Sequence, residues 1–308
     1  MLMYYLGFVF FYVISLLPFW VLYRISDFAA WLLCYAIGYR RKKIEGNIRQ
    51  SFPAYSEVQI KKVKYKFYKN FTDNWVETIK LLSISESTLS KRISGNFEVF
   101  DMLAQQGRPV STIAGHFFNW EYLSAALSYR QPIQLICVYM PITDKNMNKM
   151  FQYMRGRFGA HLMAANQLTR EIIPWRKKQY VIGLVADQSP SNPLNARWLY
   201  FLNKPTAFLT GPERNAQVFN QIPVYVSVSK PKRGHYHFQF EPLDIADSEI
   251  TKPGSITRMV AHRIEADILA HPEIYLWSHR RWKHDWNSSY AKQWIDEKNP
   301  IPTEGLAQ

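Results

Sequence analysis

Residues 109–128 read PVSTIAGHFFNWEYLSAALS, and their pattern decides the fold. The opening run, 109–115, is short and mostly apolar, the composition of a strand covered on both faces. A turn follows around His116, and 121–128 then takes up a helical pattern. A strand feeding directly into a helix is the first half of a βα unit. The same alternation recurs downstream, with extended runs at 133–140, 180–186, 223–228 and 235–240 and helical stretches at 145–158, 167–178, 210–219 and 255–269. Strands separated by helices predict an α/β sheet covered on both faces, with ligands near strand ends. The last two runs, joined through 230–234, read as a hairpin.

Upstream, 57–82 reads as one long amphipathic helix, with Val63, Phe67, Phe71, Trp75 and Ile79 at a spacing of four. Before it, the first 23 residues carry no charge. That is about the 20 residues a membrane-spanning helix needs. The flanks lack the basic start and small-residue cleavage site of a signal peptide. A second apolar stretch, 28–39, is too short to span and is expected along the interface or against the first helix. Two buried helices of a soluble core are the competing reading.

Charge placement favours the membrane. The chain of 308 residues has a net charge of +14. Ten Lys or Arg between 40 and 69, against Glu45 and Glu57, supply more than half of it. Basic residues just after a spanning segment stay on the cytoplasmic side, and they attract anionic headgroups. A solvated helical face is the plainer account of such a run, and one helix can be both. A composition 47% hydrophobic and 16% aromatic excludes disorder as the main state. Two cysteines exclude a disulfide framework or a four-thiolate metal site, which fits a reducing compartment.

The sequence has no G-x-S-x-G elbow, P-loop, G-x-G-x-x-G or H-E-x-x-H. His235 and His237 share a strand face without a third ligand, so no metal site is expected. A His followed five residues on by a carboxylate occurs twice, as His116 with Glu121 and His262 with Asp267. Within one helix five residues turn about 500°, so His262 and Asp267 point apart. His116 ends a strand and Glu121 opens the next helix, so the turn can bring the two together. A carboxylate-oriented imidazole removes a proton from an alcohol or amine, and an acyl thioester is a natural electrophile for the resulting attack. No Ser or Cys nucleophile of known setting accompanies the pair, which favours direct transfer. A strand-end His beside a helix-capping Glu is the purely structural alternative.

The segment GHFFNWE, 115–121, resembles the H-F-G-N-W-E signature of the lipid A biosynthesis acyltransferases, the late lauroyl and myristoyl acyltransferase family. The likeness continues through YRRKKIEGNIRQSFP at 39–53, Gly156 with Arg157, Asp187 with Gln188 after Ala186, and PEIYLWSHRRWK at 272–283. It implies a glycerolipid-acyltransferase-like α/β fold, a mixed sheet flanked by helices with an N-terminal membrane-anchoring helix. The expected division is an anchor at 1–39, a basic helical region at 40–100 and the α/β acyltransferase domain at 101–308. By resemblance His116 is the general base and Glu121 its partner. Asn119, Arg157, Asp187, Gln188, Arg280 and Arg281 form the substrate-binding set, with no metal and no cofactor.

Asn119 positions the turn between the dyad partners, and Trp120 reads as packing. Arg157 suits a phosphate or a developing oxyanion, its alternative being a surface arginine. Asp187 ends a strand, where it serves the site or caps a helix. Arg280, Arg281 and Lys283 meet a headgroup or clamp the C-terminal segment to the sheet. The implied donor is an acyl carrier protein, the implied acceptor a hydroxyl of a lipid A precursor in the bacterial inner membrane. The catalytic domain is expected on the cytoplasmic side, with no nucleic-acid partner. Phe118 stands where the family has Gly and is expected to crowd the dyad; Glu213 and Arg214 are polar where many members have small residues. These departures leave another glycolipid or an aminolipid open as acceptor. A lipid hydrolase and a non-enzymatic adaptor for anionic lipid are the rival classes.

Overall fold

The structure is a computed structural model that describes residues 2–245, 251–298 and 300. The apolar N-terminus forms two helices, α1 (Leu2–Leu16) and α2 (Phe19–Trp31), and α2 continues as a wider-wound turn over Leu32–Ile37. Pro18 stands between them at φ −65°. Its ring clashes with a preceding helical turn but suits the start of a new one. The single helix expected over the first 23 residues is thereby corrected: among the described residues, the helix long and apolar enough to cross a membrane is Phe19–Ile37.

Two further helices follow, α3 (Arg41–Ser51) and α4 (Glu57–Lys80). A capping box fixes the start of α4, where Ser56 and Gln59 satisfy each other's backbone N–H groups. Ile60, Val63 and Phe67 on α4 are buried, whereas Trp75 at the same spacing is exposed. The segment expected as a separate anchor is tied to this helix by polar contacts. Ser26 Oγ lies 2.7 Å from Asp73 Oδ1, and Tyr23 Oη 3.0 Å from Glu77 Oε1. Arg233 bridges Asp27 and Asp73 at 2.9 and 2.6 Å. The opposite face of α2 exposes Trp20, Ile25, Phe28 and Trp31, with one cation, Arg24, among them.

The remaining elements are α5 (Glu86–Ser90), β1 (Ile93–Gly95), α6 (Val99–Gln105), β2 (Val110–Ala114), α7 (Trp120–Tyr129), β3 (Leu135–Tyr139), α8 (Lys145–Gly156), β4 (His161–Ala164), α9 (Leu168–Glu171), β5 (Val181–Val185), β6 (Ala196–Phe201), β7 (Lys204–Leu209), α10 (Gly211–Val218), β8 (Ile222–Lys232), β9 (His235–Pro242) and α11 (Ser255–Ala270). Seven strands form one sheet in the order β1-β9-β8-β2-β5-β3-β4, and β6 with β7 forms a separate pair. Every neighbour in the large sheet is parallel except the β8–β9 hairpin. The expected mixed sheet flanked by helices is therefore present. All five residues of β2 are buried, as a central strand covered on both faces requires.

The differences have local causes. The helix expected over 167–178 stops after α9 and becomes a tight turn at Ile173–Trp175, because Pro174 cannot donate within a helix. The β6–β7 hairpin lacks the Gly-containing turn that announces one: Leu202 and Asn203 take its positive φ of 50° and 64° themselves. Glu213 is a buried carboxylate that holds the start of α11, accepting from Gly254 N, Thr257 N and Thr257 Oγ1 at 2.7 to 2.9 Å. Of the expected α/β domain, residues 246–250, 299 and 301–308 lie outside the described residues.

Candidate active site

Strands β2 and β5 are parallel neighbours, with Ala114 paired to Val185. Two residues further along each, beyond the strand ends, that register sets His116 opposite Asp187. His116 Nδ1 lies 2.6 Å from Asp187 Oδ1, and the His116 backbone N–H reaches both carboxylate oxygens at 3.0 and 3.1 Å. The expected pairing of His116 with Glu121 is corrected accordingly. The carboxylate that orients the ring is Asp187, and parallel pairing brings it there from 71 residues away. The His116 side chain is 13% exposed and that of Asp187 2%, so a ligand reaches the ring but not the carboxylate. The Asp187 carboxylate is turned to the His116 ring and backbone rather than to the open side.

Glu121 faces the other way. Its carboxylate is buried and receives Arg155 of α8 through Nε at 3.0 and 3.2 Å and Nη2 at 2.5 Å. The turn that carries His116 is closed by Asn119, the cap of α7, whose Oδ1 accepts from Glu121 N and Tyr122 N at 3.1 Å. Asn119 Nδ2 donates to Glu77 Oε2 at 3.0 Å, and Tyr236 Oη reaches the same oxygen at 2.7 Å. Burial, foremost, raises the pKa of Glu77. Asn119 is fully buried, with its side chain spent on the turn and on Glu77. Phe118 is also fully buried and packs on Phe67, Phe71 and Trp120, so its bulk fills the space against α4 instead of crowding the dyad.

The segment after α11 straps this turn in place. Phe118 N donates to Ile274 O and Leu276 N to His116 O, both at 3.0 Å. Asn47 of α3 donates to the carbonyls of Trp277 and His279 at 2.8 and 3.0 Å. The strap brings in His279, which sequence reasoning quoted within a motif but did not single out. Its ring lies nearly parallel to that of His116, with centroids 6.4 Å apart, and its Nε2 accepts from Ser189 N at 3.3 Å. Burial, followed by the charge of His116, pushes its pKa down to about 4. The signal that could have found it is its place in the 272–283 element beside two arginines.

The other expected residues divide. Gln188 is exposed and its Nε2 lies 3.0 Å from His116 Nε2, which places it beside the ring. Arg281 is buried, donates to Ala207 O at 2.7 Å and lies over Phe208, so it joins the strap to the β6–β7 pair, while its Nε and Nη2 have no hydrogen-bond partner among the described residues. Arg280 is exposed. Arg157 donates to Leu81 O at 2.6 Å, just past the end of α4; the arginine at Glu121 is Arg155. Asp267, bonded to Tyr225 and Ser227, makes no bond to His262.

With Gln188 as donor to Nε2, the ring carries its hydrogen on Nδ1 and gives it to Asp187, leaving Nε2 as the acceptor. Burial raises the Asp187 pKa, but the His116 charge and its ring and backbone N–H bonds outweigh this and hold the carboxyl well below the usual range. The site is therefore an imidazole oriented by a buried anion, at the carboxyl ends of two central strands. Such a ring takes a proton at Nε2 while Asp187 stabilises the resulting imidazolium. The sequence model of the bacterial lipid A biosynthesis acyltransferase family matches residues 1–284, which include every group just described. No curated protein matches the chain at a significant level.

Proposed function

We propose a reaction for a chain that belongs to the bacterial lipid A biosynthesis acyltransferase family and is accordingly an acyltransferase: it moves a fatty acyl group from an acyl carrier protein to a hydroxyl of a lipid A precursor. His116 Nε2 removes the hydroxyl proton as the oxygen attacks the thioester carbonyl. The tetrahedral intermediate collapses, the C–S bond breaks, and the imidazolium returns the proton to the leaving thiolate. Asp187 holds the ring and balances its transient charge. Glu121, locked to Arg155, fixes the first turn of α7 and so the position of His116. The observation that carries the reading is the His116–Asp187 pair with Nε2 on the accessible side.

The exposed apolar faces of α1 and α2, including Val9, Phe10, Trp20 and Phe28, support placing them in the bacterial inner membrane. The cations of 40–69 and the catalytic groups then lie on the cytoplasmic side, where an acyl carrier protein is available. Its acidic surface suits a chain of charge +14.

The deciding experiment supplies purified full-length protein in detergent with acyl carrier protein thioesters or acyl coenzyme A, and a lipid A precursor. Products are read by mass spectrometry. A single added acyl chain, formed faster from the carrier protein and lost in His116→Ala, is the expected result. Free fatty acid released at the same rate with and without the acceptor would make the protein a hydrolase.

A further inference from the structure

Helix α2 with its continuation to Ile37 has the length of a membrane span, but the charges along its inner face require a different placement. Asp27 lies eight residues beyond Phe19 and ten before Ile37, about 12 and 15 Å along the axis. At this midpoint it pairs with Lys69 of α4 at 3.1 Å and with Arg233, in the turn between β8 and β9, at 2.9 Å. Arg233 also holds Asp73, at 2.6 Å. A crossing helix would carry this cluster to the middle of a hydrocarbon layer about 30 Å thick, where ionised groups are strongly disfavoured.

Both ends of the segment are tied to the body in the same way. At the corner before α2, Lys80 Nζ donates to Ser15 O and Leu17 O at 2.7 and 2.9 Å, and Ser83 Oγ to Ser15 O at 2.7 Å. Arg92 stands over the Phe19 ring at 3.3 Å. Past the far end, Tyr68 Oη donates to Tyr39 O at 2.7 Å. Polar bonds to α4 therefore occur near the start, middle and end of the segment, and α4 is part of the body that carries the site. The outer side is different. Trp20, Arg24, Phe28 and Trp31 are exposed and fall within about 80° of one another around the axis. On α1, Val9, Phe10, Val13 and Leu16 are exposed as well, while Phe8 meets Tyr153 of α8 edge to face at 5.3 Å. Beyond the stripe, Tyr35 lies 6.1 Å from Tyr65 of α4. Lys61 and Lys62, four and three residues before Tyr65, share its face and are exposed.

We propose that α1 and α2 form a monotopic anchor: both lie along a single leaflet, with Trp20, Phe28 and Trp31 in its hydrocarbon, Arg24 reaching back to the phosphates, and neither helix crossing the bilayer. Lys61 and Lys62 meet anionic headgroups of the same leaflet. Length permits a span; the charged contacts of the inner face select the interface. The placement also bears on the site. Tyr23 of α2 and Asn119 of the catalytic turn bond opposite oxygens of Glu77, each at 3.0 Å, so the depth of α2 fixes the height of the His116 ring over that leaflet. The proposal rests on the membrane placement given above and not on acyl transfer.

The test is nitroxide labelling of full-length protein in vesicles of phosphatidylethanolamine and phosphatidylglycerol, with depth read by power saturation against oxygen and a water-soluble nickel chelate. Labels are placed singly in Trp20→Cys, Phe28→Cys and Trp31→Cys, all exposed positions whose replacement leaves the packed face of α2 intact. The unaltered chain, with Cys34 and Cys137, is the blank, and Lys177→Cys, on the exposed surface of the body, is the aqueous reference. The expected result is one common depth, within about 5 Å, at about 5–10 Å into the leaflet. A crossing helix would separate Trp20 from Trp31 by about 16 Å and put Phe28 near the midplane, about 15 Å deep. That pattern would overturn the proposal. Three labels out of the bilayer, in water or against a second copy of the chain, would overturn it together with the membrane placement. The expected depths in a protein that transfers no acyl chain would refute the acyl-transfer reading and leave the monotopic anchor standing.

Discussion

His116 is held by Asp187 twice, through the ring at 2.6 Å and through its own backbone N–H at 3.0 Å, so one buried carboxylate sets both the ring's orientation and the turn that presents it. Replacing His116 by Ala should cost about 10² to 10⁴ in acyl-transfer rate. Asp187→Asn should cost about as much or somewhat less, and the double variant should be little worse than His116→Ala, since an orienting group has nothing left to orient. Initial rates with saturating donor check this. Full activity in Asp187→Asn would remove it from the mechanism.

Glu121 and Arg155 form a two-point pair whose side chains are only 5% and 18% exposed. Removing one partner leaves the other charge buried, which should cost about 3–5 kcal/mol of stability. Glu121→Gln and Arg155→Met should each lower the denaturation midpoint, and the pair of substitutions together should lie closer to the unaltered protein than either alone. Arg155→Lys should restore only part, because an ammonium lacks the planar fork. A Glu121→Gln protein of normal stability but without turnover would instead give Glu121 a direct catalytic role.

His279 makes a pH-dependent contribution. Burial pushes its folded-state pKa down to about 4, against about 6.5 for an unfolded chain. The unfolded chain therefore takes up the proton first as pH falls. The contribution is complete above about pH 6.5 and declines until about pH 4, below which both states are protonated. His279→Gln, which still offers an acceptor to Ser189 N, should flatten the loss of stability across that window. Chemical denaturation at several pH values measures it; an unchanged slope would show that His279 does not titrate there.

The N-terminal helices should differ in what their removal does. Deleting residues 1–17 leaves Leu22, Ser26, Ala30 and Cys34 buried against the body and should lower stability only modestly. Deleting residues 1–38 uncovers the face of α4 around Asp73 and removes a hydrogen bond from Glu77, and should give an unstable, protease-sensitive protein. Full-length protein should resist extraction from membranes by high salt, because apolar insertion is not screened. Its recovery in a salt wash would refute membrane insertion.

Much of this was legible in the chain. The strand at 109–115, the turn at His116 and the helix after it are local patterns, and β2 and α7 stand where those patterns put them. The hairpin of β8 and β9 and the long α4 were equally plain. The two motifs that carry the site, around His116 and at Asp187–Gln188, were also visible as residues. Short β1 and β4 were not, because three or four residues show no period. The break at Pro18 was readable but was masked by the apolar residues on both sides.

The sequence by itself determined which side chains are available, which segments are strands or helices, and which motifs the chain shares with a family of acyltransferases. Only the tertiary structure decided who meets whom. Five residues along the chain, Glu121 looks like the natural partner of His116, yet a helix start points it toward α8 and Arg155. Asp187 lies 71 residues away and becomes the partner because β2 and β5 pair in parallel, so that equal steps past Ala114 and Val185 end side by side. A spacing along one chain fixes direction only within an element; across a turn or between strands, register and burial set the distance, and these depend on the whole sheet.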